Sequence, residues 1–536
     1  MATYTRANAW NNRGTFDNKD LYWYAIGVRA MMDRALNDPA SWWFFAAIHG
    51  EYVTPDNDPG KFPGWGYIPG VPKVPTTPLP TPNVVKIYWN QCQHQSWFFP
   101  PWHRGYLVAL EAQLREDIVQ AKGPTNWALP YWDYFGPGDE FDIPPAFTQQ
   151  NMPNGSPNPL FVTARYGPYA NNIVFDPTAM GLKKYPPPPN FHGVVTEKCL
   201  SNSVYTGSDS NTPLPGFGGP LTGFWHGDVY PSGNLEQDPH NLTHVFVGGS
   251  VSDTVYGLMS DPGLAALDPI FYLHHANIDR MWAVWNSNSS HNNPSDPNWL
   301  KGPAASGERE FIMPMPGKKS WRYIPKDVNS LSQMDYTYEN LKQVPVVDLL
   351  ALRLSRLGIR AVATPGAAAE SVRNSVELVG ANDGPMSIRG SGASTTVQLD
   401  TEVRQKVAHS LSVAAENSAP DRVYLNLENV RGTHDATALS IFINLPEGSN
   451  PGDHPDLLAG TVALFGLRRA SLADGKHVGG GLSFLLDISA IVDRMHLDNA
   501  LNTDNLRVMI VPNRPVSDNA QITVERVSIY REGPKR

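Results

Sequence analysis

Histidines recur in this chain at spacings that only a converging helical fold can use. "DPHNLTHVFVGG" sets His240 and His244 four residues apart, and on a helix that spacing turns both imidazoles to one side, as a shared metal ion needs. "FYLHHANIDR" follows and offers a third imidazole from the next helix. His274 and His275 are neighbours and face different ways. We select His275, because Asp279 lies one turn on, on the same face, where its carboxylate would accept a hydrogen bond from the imidazole. A second set of three comes from His94 and His103 in "NQCQHQSWFFPPWHRGYL", joined by His49 of "WWFFAAIHGEY". Six imidazoles without clustered carboxylates favour a borderline transition metal over calcium or magnesium. Zinc fits the ligand type. However, "HNLTH" lacks the glutamate that follows the first histidine in helix-borne zinc proteases, which argues against zinc hydrolysis. Trp97, Phe98, Phe99 and Trp102 read as a wall that keeps water from the metal.

Composition bounds the rest. With 536 residues, 41% of them hydrophobic, the chain can bury a large core and divide into more than one domain. A net charge of −9 argues against a nucleic-acid or anionic-membrane partner. Cys92 and Cys199 allow at most one disulfide, so packing must hold the fold. The opening "MATYTRANAWNNRGTFDNKD" has no basic segment leading into an apolar stretch, and no later run is apolar enough to span a bilayer. The expected location is cytoplasmic, in which case the sequon at Asn241 carries no glycan. The sequence leaves the oligomeric state open.

Residues 1–345 are rich in Trp, Tyr, Pro and His, and helical stretches there alternate with long loops of the kind that serve a site. "NKDLYWYAIGVRAMMDRAL" places Leu21, Ala25, Val28, Met32 and Leu36 on one helical face behind Asn18 or Asp20 as cap. "HRGYLVALEAQLREDIVQ" predicts a second helix. "DPIFYLHHANIDRMWAVW" predicts a third, with Asp268 as its cap and Pro269 in its first turn. Small and polar residues, "GIRAVATPGAAAESVRNS", mark a linker assigned to 346–385. From 386 to 536, short strand-like runs without intervening helices predict a β-sandwich of about seven strands. The expected fold class is multidomain α+β, mainly helical first and a sandwich after.

At this point a resemblance becomes specific. "HQSWFFPPWHRGYLVALE" and "DPIFYLHHANID" resemble the two copper-binding signatures of the tyrosinase, catechol oxidase and hemocyanin family of coupled dicopper proteins. "DYTYENL", with Tyr336 and Tyr338, is similar to the tyrosine motif that closes the catalytic domain in plant and fungal members. The likeness covers residues 10 to 345, and "LAGTVALFGL" resembles more loosely the family's carboxy-terminal shielding domain.

Carried over residue by residue, the resemblance implies a four-helix-bundle core in which His49, His94 and His103 hold one copper ion and His240, His244 and His275 a second. It implies O2 as co-substrate and small phenols or catechols as partners. Several members join a cysteine two residues before the second histidine to that ring, so Cys92 is expected to form a thioether to His94. The competing reading of Cys92 is a small buried hydrophobe. Cys199 is read as structural. Glu236 and Asn241 resemble the glutamate and asparagine that, in plant-type members, hold a water assisting phenol deprotonation; a solvated carboxylate and a surface amide are the plain alternatives. Val245 supplies no charge for a carboxylated substrate and points to small uncharged phenols. Phe271 packs against either an imidazole or a substrate ring.

Related latent enzymes insert a side chain of the shielding domain into the substrate cavity, and Phe465 is the candidate here, with Leu464 and ordinary packing as competitors. The expected activity is O2-dependent oxidation of o-diphenols to o-quinones with hydroxylation of monophenols. It is expected to stay latent until the shielding domain is cleaved after about residue 370 or displaced by acid or detergent. An o-aminophenol oxidase and a hemocyanin-like oxygen carrier are the rival readings.

Overall fold

A computed structural model describes residues 4–58, 60, 62–167, 195–207, 214–224, 231–342, 349–358, 374–414, 420–473 and 479–534. Helix α1, Lys19–Met32, starts where the Asn18 side chain accepts from the Asp20 amide, and Met31 rather than Met32 completes its buried face. Helix α2, Trp42–His49, is capped by Ser41 and buried throughout. Helix α3, Phe99–Gln120, begins with Pro100 and Pro101, which the first turn tolerates because its amides have no helical acceptor. A helical turn, Glu236–Asn241, bears His240 and leads into α4, Leu242–Gly248, which bears His244; α5, Ile270–Asn286, bears His274 and His275. Asp268 receives the Ile270 amide at 3.0 Å, as expected of a cap, and also pairs with buried Arg165 at 2.6 Å. Helix α3 packs against both α1 and α5. Gly105 permits the close approach of the Tyr323 ring to α3, since a Cβ there would lie 2.1 Å from it.

A short parallel pair ties the two ends of this unit together. Strand β1, Tyr4–Arg6, pairs with β2, Tyr336–Tyr338. The pairing delivers Arg6 into the core, where it meets Glu111 at 2.6 Å and Asp279 at 3.3 Å. Arg104 from α3 reaches the other oxygen of Asp279 at 2.5 Å, and the hydroxyls of Tyr336 and Tyr338 donate to Asp279 at 2.6 and 2.5 Å.

The carboxy-terminal unit begins earlier than the expected boundary at 386. Helix α6, Leu349–Arg356, and strand β3, Asn374–Ala381, both fall inside the stretch assigned to a linker. Arg353 of α6 pairs with Asp493 of the carboxy-terminal unit at 2.6 Å. Strand β3 sits inside the sheet with a partner on each side. Small residues and glycine hid it, because inside a sheet the ladder on both edges, rather than side-chain bulk, supplies much of the order. The segment "GIRAVATPGAAAESVR" lies almost wholly outside the described residues.

The strands that share its sheet are β4, Ala393–Leu399; β5, Arg422–Val430; β6, Ala438–Ile443; β7, Leu458–Ala463; β8, Leu482–Asp487; β9, Asn505–Pro512; and β10, Arg526–Pro534. Among the described residues these form one antiparallel eight-stranded sheet in the order β7-β6-β9-β4-β3-β10-β5-β8. The sheet curls until its edges approach: a Cβ on Gly460 of β7 would meet Leu486 of β8 at 2.9 Å. A barrel-like single sheet thus stands where two packed layers were expected. Helices α7, Thr401–Val413, and α8, Ser489–Leu497, interrupt the strands, contrary to expectation. Asp400 caps α7 by accepting from the Val403 amide. No described helix is long and apolar enough to cross a membrane.

Asp279 joins β1, β2, α3 and α5 through two buried guanidinium groups. Asp279→Ala should lower unfolding stability by about 3–5 kcal/mol, because it strands the buried Arg104 charge, while Arg6 keeps Glu111. Denaturant titration checks this, and a loss below about 1 kcal/mol would mean water reaches that charge.

Candidate metal centre

Seven of the described histidines form two groups. His49 at the end of α2, His94 in the loop before α3 and His103 in α3 gather with Cys92, each offering a ligand atom within 4.8 Å of the others. His240, His244, His274 and His275 form the second group by the same measure. The groups face one another: the rings of His103 and His275 stack with centroids 4.4 Å apart, and His94 and His240 lie 5.7 Å apart.

Hydrogen bonds fix which nitrogen points inward in four of the rings. Nδ1 of His49 donates to the Pro262 carbonyl, of His103 to Phe99 and of His244 to Met259, at 2.8–2.9 Å. Nδ1 of His240 meets the Asn241 side-chain oxygen at 2.8 Å. The tautomer this selects leaves Nε2 as a lone pair aimed into the site. In the second group Nε2 of His240 lies 3.1 Å from that of His244 and 3.2 Å from that of His275, a trio around one point. Nε2 of His49 is buried without a hydrogen-bond partner. Burial holds His49 down to about 3, and burial first, then neighbouring imidazoles, holds His103, His240, His244 and His275 well below the usual histidine range. Neutral, inward-facing imidazoles suit a pair of copper ions.

Several expected residues stand elsewhere than anticipated. Asp279 accepts nothing from His275, whose Nδ1 has no partner; its two oxygens serve Arg6, Arg104, Tyr336 and Tyr338. A carboxylate one turn away is drawn to buried guanidinium groups rather than to a neutral ring. His274 packs its ring on His240 at 5.2 Å and on Tyr134 at 5.7 Å. Val245 and Phe271 are fully buried, and neither lines the cavity at the site. One residue past His244, Val245 is rotated by a helical step away from the metal face. Phe271 packs on imidazoles, 4.1 Å from His275 and 4.8 Å from His49. Of the aromatic run, Phe99 meets His103 and His240, and Trp102 meets His49 and His103. Trp97 and Phe98 instead contact Thr222 and Phe311.

The cavity, of about 110 Å³, is lined by His49, His94, Cys92, Glu236 and Asn241 together with Phe465 of the second unit. Glu236 is buried, and both its oxygens lie 2.9 Å from the Gln95 amide. Burial pushes its carboxyl up to about 8, against the hydrogen bonds from Gln95 and Ser232. The Cys92 sulfur stands 3.6 and 3.7 Å from the two ring nitrogens of His94. Near-equal distances put it close to the plane that bisects the ring through the carbon between those nitrogens. Phe465 follows β7, and its ring stacks on His244 at 4.2 Å while meeting His94 edge-on at 5.6 Å. Leu464 turns the other way, into the barrel core, as alternation in an extended chain requires.

Sequence reasoning missed Gln95, Asn90 and Pro262, and Arg469, Leu482 and Phe484 from the second unit, which also line the cavity. Their types carry no signal. Asn90 and Gln95 share a left-handed backbone, φ 55° and 50°, and at Gln95 it aims the amide at Glu236.

Residues 39–288 match the family model described as the common central domain of tyrosinase, and residues 375–532 match a domain of unknown function. Tyrosinase HcTyr1 of Hahella sp. (strain CCB-MM4) is 30% identical over 536 residues, covering 97% of this chain and 99% of that protein. The chain belongs to the tyrosinase family. Chloroplastic polyphenol oxidase B of Solanum lycopersicum is 30% identical over 258 residues, 46% of this chain and 39% of its own length. Among solved structures, latent apple tyrosinase aligns with a TM-score of 0.57 at 21% identity, covering 99% of this chain and 97% of that one. Latent aurone synthase gives 0.55 at 20% identity, covering 99% and 90%. These likenesses establish a shared two-unit fold. The family acts on phenols with O2 and two copper ions, and the two histidine groups fit that pair.

A tyrosinase-family site built from neutral buried imidazoles has a measurable consequence in copper-free protein. A depressed folded-state pKa gives stability that is complete above pH 6.5 and lost as pH falls toward the folded value. At pH 5 each imidazole that protonates only on unfolding costs about 2 kcal/mol. The urea midpoint of the copper-free chain should therefore fall steeply between pH 7 and pH 5, and an unchanged midpoint would mean the rings are solvated.

Proposed function

We propose that this protein oxidises o-diphenols to o-quinones and hydroxylates monophenols, with His49, His94 and His103 on one copper ion and His240, His244 and His275 on the other. The observation that carries this reading is the pair of imidazole groups facing one another beneath a cavity that also presents Glu236. Bound copper supplies the redox chemistry: two ions that cycle by one electron each match the two electrons of a catechol's oxidation.

The chain's own residues do the rest. Phe99, Trp102 and Phe271 pack on the imidazoles and exclude water. Asn241 holds the His240 ring in the tautomer that leaves Nε2 free. Glu236 takes the phenol proton, directly or through a water. A carboxyl near 8 is matched to that work better than one near 4, since the phenol it must deprotonate titrates near 10. Cys92 joins His94 through the ring carbon it faces. That bond would replace one C–H and one S–H; copper held by the imidazoles would allow O2 to take up the two electrons and two protons released, leaving as hydrogen peroxide. Phe465 fills the space a substrate ring would use, so the intact chain is latent. The apolar cavity walls favour small uncharged phenols.

Oxygen uptake by copper-loaded protein with phenol, catechol and o-aminophenol tests the reading, before and after removal of the carboxy-terminal unit. Catechol turnover should exceed that of o-aminophenol; the reverse preference would make this an o-aminophenol oxidase, and reversible O2 binding without turnover an oxygen carrier. Phe465→Ala should raise the intact chain's catechol turnover roughly tenfold or more, toward that of the trimmed enzyme. Glu236→Gln should cut monophenol turnover by about 10²–10⁴ and spare catechol; equal rates for both would remove Glu236 from the mechanism.

Copper analysis discriminates the neighbouring histidines. His275→Ala should bind about one copper per chain and His274→Ala about two. The denatured, reduced peptide carrying Cys92 and His94 should be lighter by two hydrogens, and an unmodified mass would retire the thioether.

A further inference from the structure

Three residues past Phe465, two buried acids from different units share one arginine. Asp261 stands in the turn before α5 and Asp435 in the loop leading into β6, each with its side chain 1% exposed. Arg468 lies 3.6 Å from Oδ2 of Asp261 and 4.0 Å from Oδ2 of Asp435. Oδ1 of Asp261 accepts from the Gly263 amide and Oδ1 of Asp435 from the Arg468 amide, both at 2.8 Å. The two Oδ2 atoms have no hydrogen-bond donor, and both face the one Arg468 guanidinium. Two buried carboxylates facing one guanidinium leave one negative charge unbalanced, and such a charge is expensive unless a proton cancels it.

The groups around the pair supply no second cation to Asp435. Tyr52 lies beneath Arg468 and Arg469, whose guanidinium groups stand 5.0 and 5.7 Å from its ring. The Tyr256 hydroxyl accepts from the Asp435 amide and donates to the Thr433 carbonyl. Further along the seam, His434 sits between Ser250 and Thr437, Arg514 bonds to Ser250, and Ser517 donates to Asp253.

We propose that Asp261 and Asp435 share a single proton across the seam, forming a latch that keeps Phe465 in the cavity and opens as that proton leaves with rising pH. The latch rests on the latency proposed above and names its regulation. Burial first, then Asp261, holds the Asp435 carboxyl well above the usual range. A raised value in the docked state means that docking is favoured at low pH and weakens as pH rises through that value. The proton goes to solvent, and Asp435 is hydrated on opening.

His434 works in the opposite sense. Burial, then Arg514, holds it down to about 4, so its contribution to docking is complete above pH 6.5 and lost below. Above pH 6.5 His434 is therefore silent; Glu236, which lines the cavity under Phe465 and stands at about 8, also titrates in that range, and the Asn variants at the acid pair separate its effect from the latch.

The test uses full-length, copper-loaded protein between pH 6.5 and 9. The ratio of catechol turnover in intact and trimmed enzyme is measured alongside the radius of gyration from small-angle X-ray scattering. In the unaltered protein, intact turnover should climb toward the trimmed value, about tenfold or more, as the particle expands. Asp435→Asn should stay compact and latent across the range, because an amide supplies the missing donor without charge. Asp261→Asn should do the same and stands in if the first variant fails to fold, while His434→Gln should keep the rise. The latch is overturned if the unaltered protein does not expand with pH, or if both Asn variants open at the same pH as it does. Expansion without any difference in turnover between intact and trimmed enzyme would leave the latch standing and sink the latency reading instead.

Discussion

Imidazole nitrogens held neutral and aimed at one another inside a dry core are the constraint on which this structure depends. Each such nitrogen is a lone pair taken from water. Left unmet, it costs what any buried acceptor costs, about 1–3 kcal/mol. The chain fixes the tautomer from behind: carbonyls of Pro262, Phe99 and Met259 receive the outer N–H of His49, His103 and His244. No protein donor could approach so many inner nitrogens at once, whereas a metal ion meets three from one point. The bundle is thus organised so that its least favourable element is relieved by the cofactor it exists to hold.

Holding that geometry requires the helices not to slide. Asp279 does this from outside the metal site, by pinning α5 to α3 through Arg104 and to both ends of the unit through Arg6, Tyr336 and Tyr338. One helical turn separates it from His275, so a shift of α5 that would spoil the ligand trio would also break several charged hydrogen bonds. The reading of Asp279 as an acceptor for an imidazole had the right residue and the wrong partner. Its stabilising effect on the site passes through the packing of α5.

What was legible in the sequence follows the reach of each signal. Helix periodicity, caps and histidine spacing are local, and they located α1, α3, α5 and the pairing of His240 with His244. Phe465 could be singled out because alternation puts either Leu464 or Phe465 outward, and family likeness chose between them. The barrel's β3 was lost because small residues between two paired neighbours have no pattern of their own. Gln95, Arg469 and Phe484 were invisible for a different reason. Their part in the cavity comes only from where the fold carries them, and nothing in residue type at those positions distinguishes a wall from a surface.

The seam between the two units then links pieces that no single stretch of sequence contains. Ala438, Ala463 and Phe465 belong to the barrel by connectivity but pack into the core of the catalytic unit. Withdrawing Phe465 therefore means exposing apolar surface, which favours docking at any pH. A seam held by that surface alone would have no trigger short of cleavage. The opposing acids add a term of the other sign beside it, of a size set by protonation. Gly466, whose φ of 83° suits glycine, turns the chain directly from the ring to the helical turn that bears Arg468. The inserted side chain and the charged pair are therefore joined by a short, well-packed segment, and a change in charge at one end is felt as a displacement at the other.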